Sequence, residues 1–387
     1  MRRRFFLARL SQLVIALSTV AGLVGRGQAA EPTNVFHAFI GTYTGAKSKG
    51  IYAVRFDAAT GKATKPELVA ESANPSFLAI HPAGKYLYAV NEVDKFRGEA
   101  TGSVSAFAID RKSGKLTALN QESSAGLGPC HLAVDAAGKM VFVASYGGGT
   151  FASLKIKADG GLEAPSFTFP PMDGASGELK APKAHCTAFD PANRFAVGVS
   201  LGVDRIWSFK LDAGGKLALN TTHGSVKKGA GPRHFAFRPD GRFAYVINET
   251  NCTLTAFSYD GSTGGLSEIQ TISTLPVPFQ EGWSTAELEM HPSGKFIYGS
   301  NRGHDSIVAC AIDGPSGKLT VVEQESTRGK TPRSFGIDPT GSYLLAGNQG
   351  SDTIVIFRID AQSGKLDATG EVIEAPAPVC VKFLAIE

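Results

Sequence analysis

From about residue 36 onward, hydrophobic and polar positions alternate in short runs of five to eight residues. Ser103–Ile109, residues 253–259 and Thr353–Ile359 are such runs, and in Phe243–Asn248 the large Phe243, Tyr245 and Ile247 interleave with smaller residues. A period of two between glycine turns is the mark of β-strands. No apolar positions recur at helical spacing over a turn-free stretch of ten residues, so helices are not expected beyond the first thirty residues.

The strands recur in a fixed frame. PSFLAIHPAGKYLYAVN (residues 75–91) and PRHFAFRPDGRFAYVIN (residues 232–248) match position by position, and the frame returns at 129–145, 184–200, 285–301 and 332–348. Each copy continues with an alternating run and a turn of the Asp-x-x-x-Gly-Lys-Leu kind, giving a period of roughly 50 residues, that of one four-stranded propeller blade. Residues 36–70 resemble the second to fourth strands of a unit without its first, and residues 378–386 a first strand with nothing after it. Joined, these fragments make one more blade beside the six complete copies. The fold expected is all-β: a seven-bladed propeller of four-stranded blades, closed by the C-terminal strand entering the N-terminal blade. Closure removes open sheet edges.

In a propeller the first strand of each blade lines the central channel and runs antiparallel to the second. The start of the first and the end of the second therefore meet at one rim. At the start of the first strand the frame places Ser76, Cys130, His185, Arg233, Ala286 and Arg333, followed by Phe77, His131, Cys186, His234, Glu287 and Ser334. The second strand ends with Asn91, Ser145, Ser200, Asn248, Asn301 and Asn348, followed by Glu92, Tyr146, Leu201, Glu249, Arg302 and Gln349. The apolar positions of the frame are uniform, whereas these rim positions vary and are rich in His, Arg and Glu, which points to chemistry. The Asn series reads as turn chemistry. His81 and His291 precede the turn proline, where Asp stands in other copies, and read as turn caps.

Charge alters this picture only once the N-terminus is set apart. The chain carries a formal +4, but five arginines and no acid lie in residues 1–30, so the remainder carries 4 − 5 = −1. A nearly neutral body lacks the basic stripe that nucleic-acid binding needs. Residues 1–30 read as an export signal of the twin-arginine kind, with Arg3-Arg4-Phe5-Phe6-Leu7, an apolar run over residues 10–24 and a small-residue end at Ala29-Ala30. That run is shorter than the roughly twenty residues of a membrane span, so no stable membrane insertion is expected after cleavage. Residues 31–387 are expected to form the single propeller domain, periplasmic or extracellular. The five cysteines are widely spaced, without metal-ligand or disulfide patterning, and read as buried small residues. No metal or other cofactor is expected.

At these residues the chain resembles the seven-bladed β-propeller lactonase family, of the 6-phosphogluconolactonase and carboxymuconate lactonizing enzyme type. The resemblance covers nearly all of the chain after the leader and is carried by GPRHFAFRPDGRFAYVINE (residues 231–249), AELEMHPSGKFIYGSNRGHD (286–305), residues 332–335 and Tyr146-Gly-Gly-Gly. It implies a small lactone substrate and places the family's active-site His on His185, its arginines on Arg233 and Arg302, and its Glu on Glu249. His131, Tyr146, His234, Glu287, Arg333 and Gln349 are the expected substrate-binding positions around them. One departure is Lys183-Ala184-His185, where the family often has His-x-His. The set suits lactone opening: a carboxylate as general base, guanidiniums for an anionic group or the oxyanion, and an imidazole for the leaving ring oxygen. The roles of Glu249 and His185 are interchangeable at this stage. Two other functions fit the same residues, a non-catalytic binding propeller and a cycloisomerase that forms a lactone from a muconate.

Overall fold

A computed structural model describes residues 34–170 and 182–386. The leader expected over residues 1–30 lies outside them. Seven antiparallel sheets follow one another, six of them with four strands in sequence order. We number the blades in chain order. Blade 1 is built from both ends of the described chain: Pro378–Ala385 pairs with Val35–Thr42, which pairs with Gly50–Asp57, and Lys62–Ala63 and Glu67–Glu71 complete the outer edge. The inner strands of blades 2 to 7 are Leu78–Ile80, Pro129–Val134, Ala184–Phe189, Pro232–Phe237, Ser284–Met290 and Pro332–Ile337. The ring closes as the repeat predicts.

The turn between first and second strands is capped by one recurring side chain. Asp135 Oδ1 accepts the N–H groups of Lys139 and Met140 at 2.7 and 2.8 Å, and Asp190 and Asp338 repeat the motif. His81 and His291 replace Asp in blades 2 and 6. Their Nδ1 atoms accept the N–H of Ala83 (3.0 Å) and Ser293 (3.1 Å), which puts the proton on Nε2, and Nε2 donates to Gly138 O and Gly341 O of the next blade. A histidine here caps its own turn and ties two blades together.

Blades also lock through the outer turns. Gly317 of blade 6 has φ +70°, and a Cβ there would lie 2.3 Å from the Phe243 ring of blade 5. Beside it, the Tyr245 hydroxyl donates to Gly317 O at 3.0 Å. Tyr88 with Gly160, and Tyr298 with Gly364, repeat this bond between other blade pairs. The second strands are almost wholly buried between such clamps. Rim Asn side chains tie their blades: Asn301 Nδ2 donates to Thr274 O and Asn348 Nδ2 to Thr327 O, so the Asn series is structural. All five cysteines are buried and unpaired.

Candidate active site

The inner strands of every blade but blade 2 open with a β-bulge, and the bulge decides where side chains go. Ala184 opposes Ser200 and Cys186 opposes Val199, which leaves His185 outside the ladder. The same skip frees Arg233 between Pro232 and His234, and Arg333 between Pro332 and Ser334. A bulged residue is released from the pleat and re-aimed. Here the released side chains meet residues that follow the second strands: His185 packs edge-on to Tyr146 (centroids 5.6 Å apart), Arg233 reaches Glu249 and Arg333 reaches Tyr43.

Glu249 is the hub. Its Oε2 lies 2.8 Å from Arg233 Nε and 3.1 Å from Arg302 Nη2, so one oxygen reaches both guanidiniums. Backbone carbonyls fix the arginines from behind, with Arg233 Nη1 donating to Ala286 O and Arg302 Nη2 to Thr285 O, both at 2.7 Å. Arg233 is 2% exposed at its side chain and Arg302 16%, which makes the carboxylate between them necessary. Burial, then the neighbouring Arg233, brings the pKa of Arg302 down to about 10.

His185 stands beside this group, 4% exposed, with Nδ1 buried and, among the described residues, without a hydrogen-bond partner. Burial, then the Arg233 charge, pushes its pKa well below the ordinary 6.5. Both effects hold the imidazole in its neutral form.

Across the rim a second network forms. Tyr43 Oη donates to Glu92 Oε2 at 2.9 Å, Ser76 Oγ donates to the same oxygen at 2.5 Å, and Arg333 Nη2 donates to Tyr43 Oη at 2.8 Å. Cys130 lies between the networks, its thiol pushed up by burial and then by Glu92.

Below the rim lies a layer of inner-strand side chains that meet across the axis. Phe77 of blade 2 stacks on His131 (3.9 Å between centroids) and reaches His234 of blade 5 (5.8 Å). His131 Nδ1 accepts the Thr187 N–H at 3.2 Å. His234 Nδ1 lies 2.5 Å from Glu287 Oε1, while Glu287 also accepts from Leu288 N and Ser334 Oγ. Deeper still, Lys382 pairs with Glu289 at 2.9 Å, and a cavity of about 340 Å³ lies among these groups. Among the described residues no group of three or more His, Cys, Asp or Glu is arranged to hold a metal ion.

The match to the family model "Lactonase, 7-bladed beta-propeller" spans residues 37–383, nearly the whole described ring. The chain belongs to the seven-bladed β-propeller lactonase family. Among relatives of this lactonase, the 6-phosphogluconolactonase of Bacillus subtilis is 35% identical over 89% of this chain and 97% of its own. The 6-phosphogluconolactonase of Formosa agariphila is 34% identical over 78% of this chain and 86% of its own. Among solved structures, the periplasmic gluconolactonase of Pseudomonas aeruginosa superimposes with a TM-score of 0.85 at 30% identity, over 91% of this chain and all of that one.

Of the residues singled out from the lactonase sequence, His185, Arg233, Glu249 and Arg302 converge as one group, with Tyr146 against His185 and Arg333 nearby. His131, His234 and Glu287 sit one layer down, buried and bonded to their neighbours, so they underlie the site instead of lining its mouth. Gln349 opens a short 3-10 turn, Gln349–Ser351, and among the described residues its side chain joins neither network. Two members of the site were not singled out. Glu92 is the blade 2 counterpart of Glu249. Tyr43 follows Thr42, which pairs with Pro378 as Asn248 pairs with Pro232, so it is the blade 1 member of the same rim series.

Proposed function

We propose that the protein is a metal-independent hydrolase that opens a sugar lactone, working outside the cytoplasm on an unphosphorylated or otherwise modified relative of 6-phosphogluconolactone. The observation that carries this reading is a buried His185, packed on Tyr146, next to a carboxylate that holds two guanidiniums. Water attacks the lactone carbonyl as His185 takes its proton. Arg233 and Arg302, held by Glu249 and by backbone carbonyls, are pre-set for the oxyanion, so no reorganisation is needed when charge develops. His185 then returns the proton to the ring oxygen as the C–O bond breaks. This gives both proton transfers to His185 and leaves Glu249 to hold the arginines, in place of the division of base and acid between the two residues that the sequence suggested.

The names of the relatives support the substrate class: two are 6-phosphogluconolactonases and one structural neighbour is a periplasmic gluconolactonase. The test is pH-stat hydrolysis by the mature protein without added metal, offering 6-phosphogluconolactone, gluconolactone and a muconolactone. Acid release on a lactone that is lost in His185→Asn supports the reading. Release no faster than spontaneous hydrolysis on every substrate would sink it in favour of a binding propeller.

A further inference from the structure

Glu287 is 3% exposed, and three donors converge on it: His234 Nδ1 on Oε1 at 2.5 Å, the Leu288 N–H on the same oxygen at 3.1 Å, and Ser334 Oγ on Oε2 at 3.1 Å. Three donors leave no place for a proton of its own, so it is held as a carboxylate. None of the three is a Lys or Arg. Lys382, the cation of this layer, is bonded to Glu289 instead, so Glu287, Glu289 and Lys382 sum to 1 − 2 = −1. At the rim Arg233, Arg302 and Glu249 sum to 2 − 1 = +1. A buried carboxylate without a direct cationic partner costs stability, which a structural role alone does not explain.

His185 lies between these two layers. Around it stand Arg233 and His234 of blade 5, Tyr146 and His131 of blade 3, and the Cys130 and Cys186 thiols, with Arg333 and Lys183 farther out. Burial keeps both thiols protonated and both neighbouring imidazoles neutral. Among the described residues no carboxylate hydrogen-bonds to His185; Glu249 is committed to two arginines, and Glu92 accepts from Tyr43 and Ser76 across the rim. Only the ring of His234, its centroid 5.3 Å from that of His185, separates His185 from Glu287.

We infer that Glu287 is a positioning residue for the reaction: through His234 it supplies the counter-charge for the imidazolium that His185 becomes between taking the proton of water and giving it to the ring oxygen. This rests on the lactonase reading, with His185 as its base. The arginines that favour the oxyanion also repel that imidazolium. A carboxylate on the opposite side, ionised before the reaction starts, offsets the repulsion without reorganisation. Set one ring away, Glu287 favours the protonated imidazole without holding a proton on it in the resting protein.

The experiment measures kcat and KM across the pH range in which each variant stays folded, on whichever of gluconolactone and 6-phosphogluconolactone the wild type opens. Glu287→Gln should lower kcat about tenfold with KM little changed, the effect of one unit charge across a partly polar interior, and move the acid limb of the profile to lower pH. Loosening of the layer acts in the other direction, because water admitted beside His185 returns its pKa towards the ordinary value and moves the limb up. Glu287→Asp, which keeps the charge but draws it back from His234, should show the same changes at part of their size, and it serves if the Gln variant does not fold. Ser334→Ala, which removes one hydrogen bond and no charge, should lower the melting temperature and leave the limb in place. An unchanged kcat in Glu287→Gln, or a limb that moves up or not at all, would overturn the role and leave the lactonase reading standing. Where acid unfolding precedes the limb, equal losses of kcat in the Gln and Asp variants would overturn it. Ring 15N shifts of His185, assigned with His185→Asn, follow the same titration without substrate. A downward move there in Glu287→Gln, with no lactone opened by any variant, would keep the coupling and remove the lactonase.

Discussion

Glu249 is a residue for which no conservative replacement exists. Glu249→Gln keeps the shape but leaves two guanidiniums, both mostly buried, facing each other without a counter-charge. Breaking a buried pair by removing one partner costs about 3 kcal/mol, so the variant should melt earlier and also lose lactone turnover by about a hundredfold or more; thermal denaturation and initial rates read the two effects separately. His81→Ala is the contrasting case. It removes one turn cap and one bond to Gly138 O, which costs about 1 kcal/mol, and turnover should match the wild type because His81 lies outside the rim set. At this scale much of the site was legible, since the repeat frame alone brings His185, Arg233, Glu249 and Arg302 to one rim. Tyr43 was not, because blade 1 starts without its own inner strand and therefore offers no turn proline to align. Glu92 was visible in the rim series, but its importance lies in accepting from Tyr43, and a residue spacing does not reveal a proton's direction.

At the scale of elements, the β-bulge and the interblade clamp matter most. The bulge was invisible in the sequence because apolar alternation resumes after it at the spacing of an unbroken strand, and only the pairing register exposes the skipped residue. It also explains why His131 and His234 lie lower than expected: they are the first residues back in the ladder, so their side chains point into the channel. The clamp makes a sharp prediction. Gly317→Ala forces an L-residue to φ +70° and drives a methyl into the Phe243 ring, which should cost about 3 kcal/mol from left-handed strain and overpacking together. A chemical denaturation midpoint close to the wild type would show that the turn yields. The Gly-Lys turn was read from the sequence only as a turn; that it doubles as the lid over its neighbour's aromatic residue depends on packing between blades.

For the whole molecule, the buried imidazoles set a pH dependence. Burial pushes the pKa of both His131 and His185 well below 6.5. In the unfolded chain each takes up a proton as pH falls through about 6.5, while in the folded chain each stays neutral, so the unfolded state binds more protons and stability declines with falling pH. These two groups contribute a slope of about 2.7 kcal/mol per pH unit below pH 6.5, continuing down towards the lowered folded values, and His234, lowered likewise by burial, adds to it. Melting temperature should therefore hold steady from pH 8 to 7 and drop steeply from pH 6 to 5, and a His131→Phe, His185→Phe double variant should flatten that drop. His185 acting as base adds a kinetic counterpart: turnover should keep its neutral-pH value well below pH 6.5 for as long as the fold survives. The architecture itself was readable in advance, because two orphan fragments at opposite ends of the chain could be completed only by each other.

That shared blade makes the position of the chain break arbitrary. Ile386 N donates to Val35 O at 3.1 Å, so the described ends already touch, and a few added residues would join them into a circle. The circle could then be cut at an outer turn of another blade. A permuted protein opened there and keeping the rim intact should regain the same chemistry, but it would assemble by a different history. In this order the strand that completes the first blade follows all the other described strands, so every other blade can stack before the ring is locked. Moving the break would change when the lock closes during synthesis without changing what it encloses.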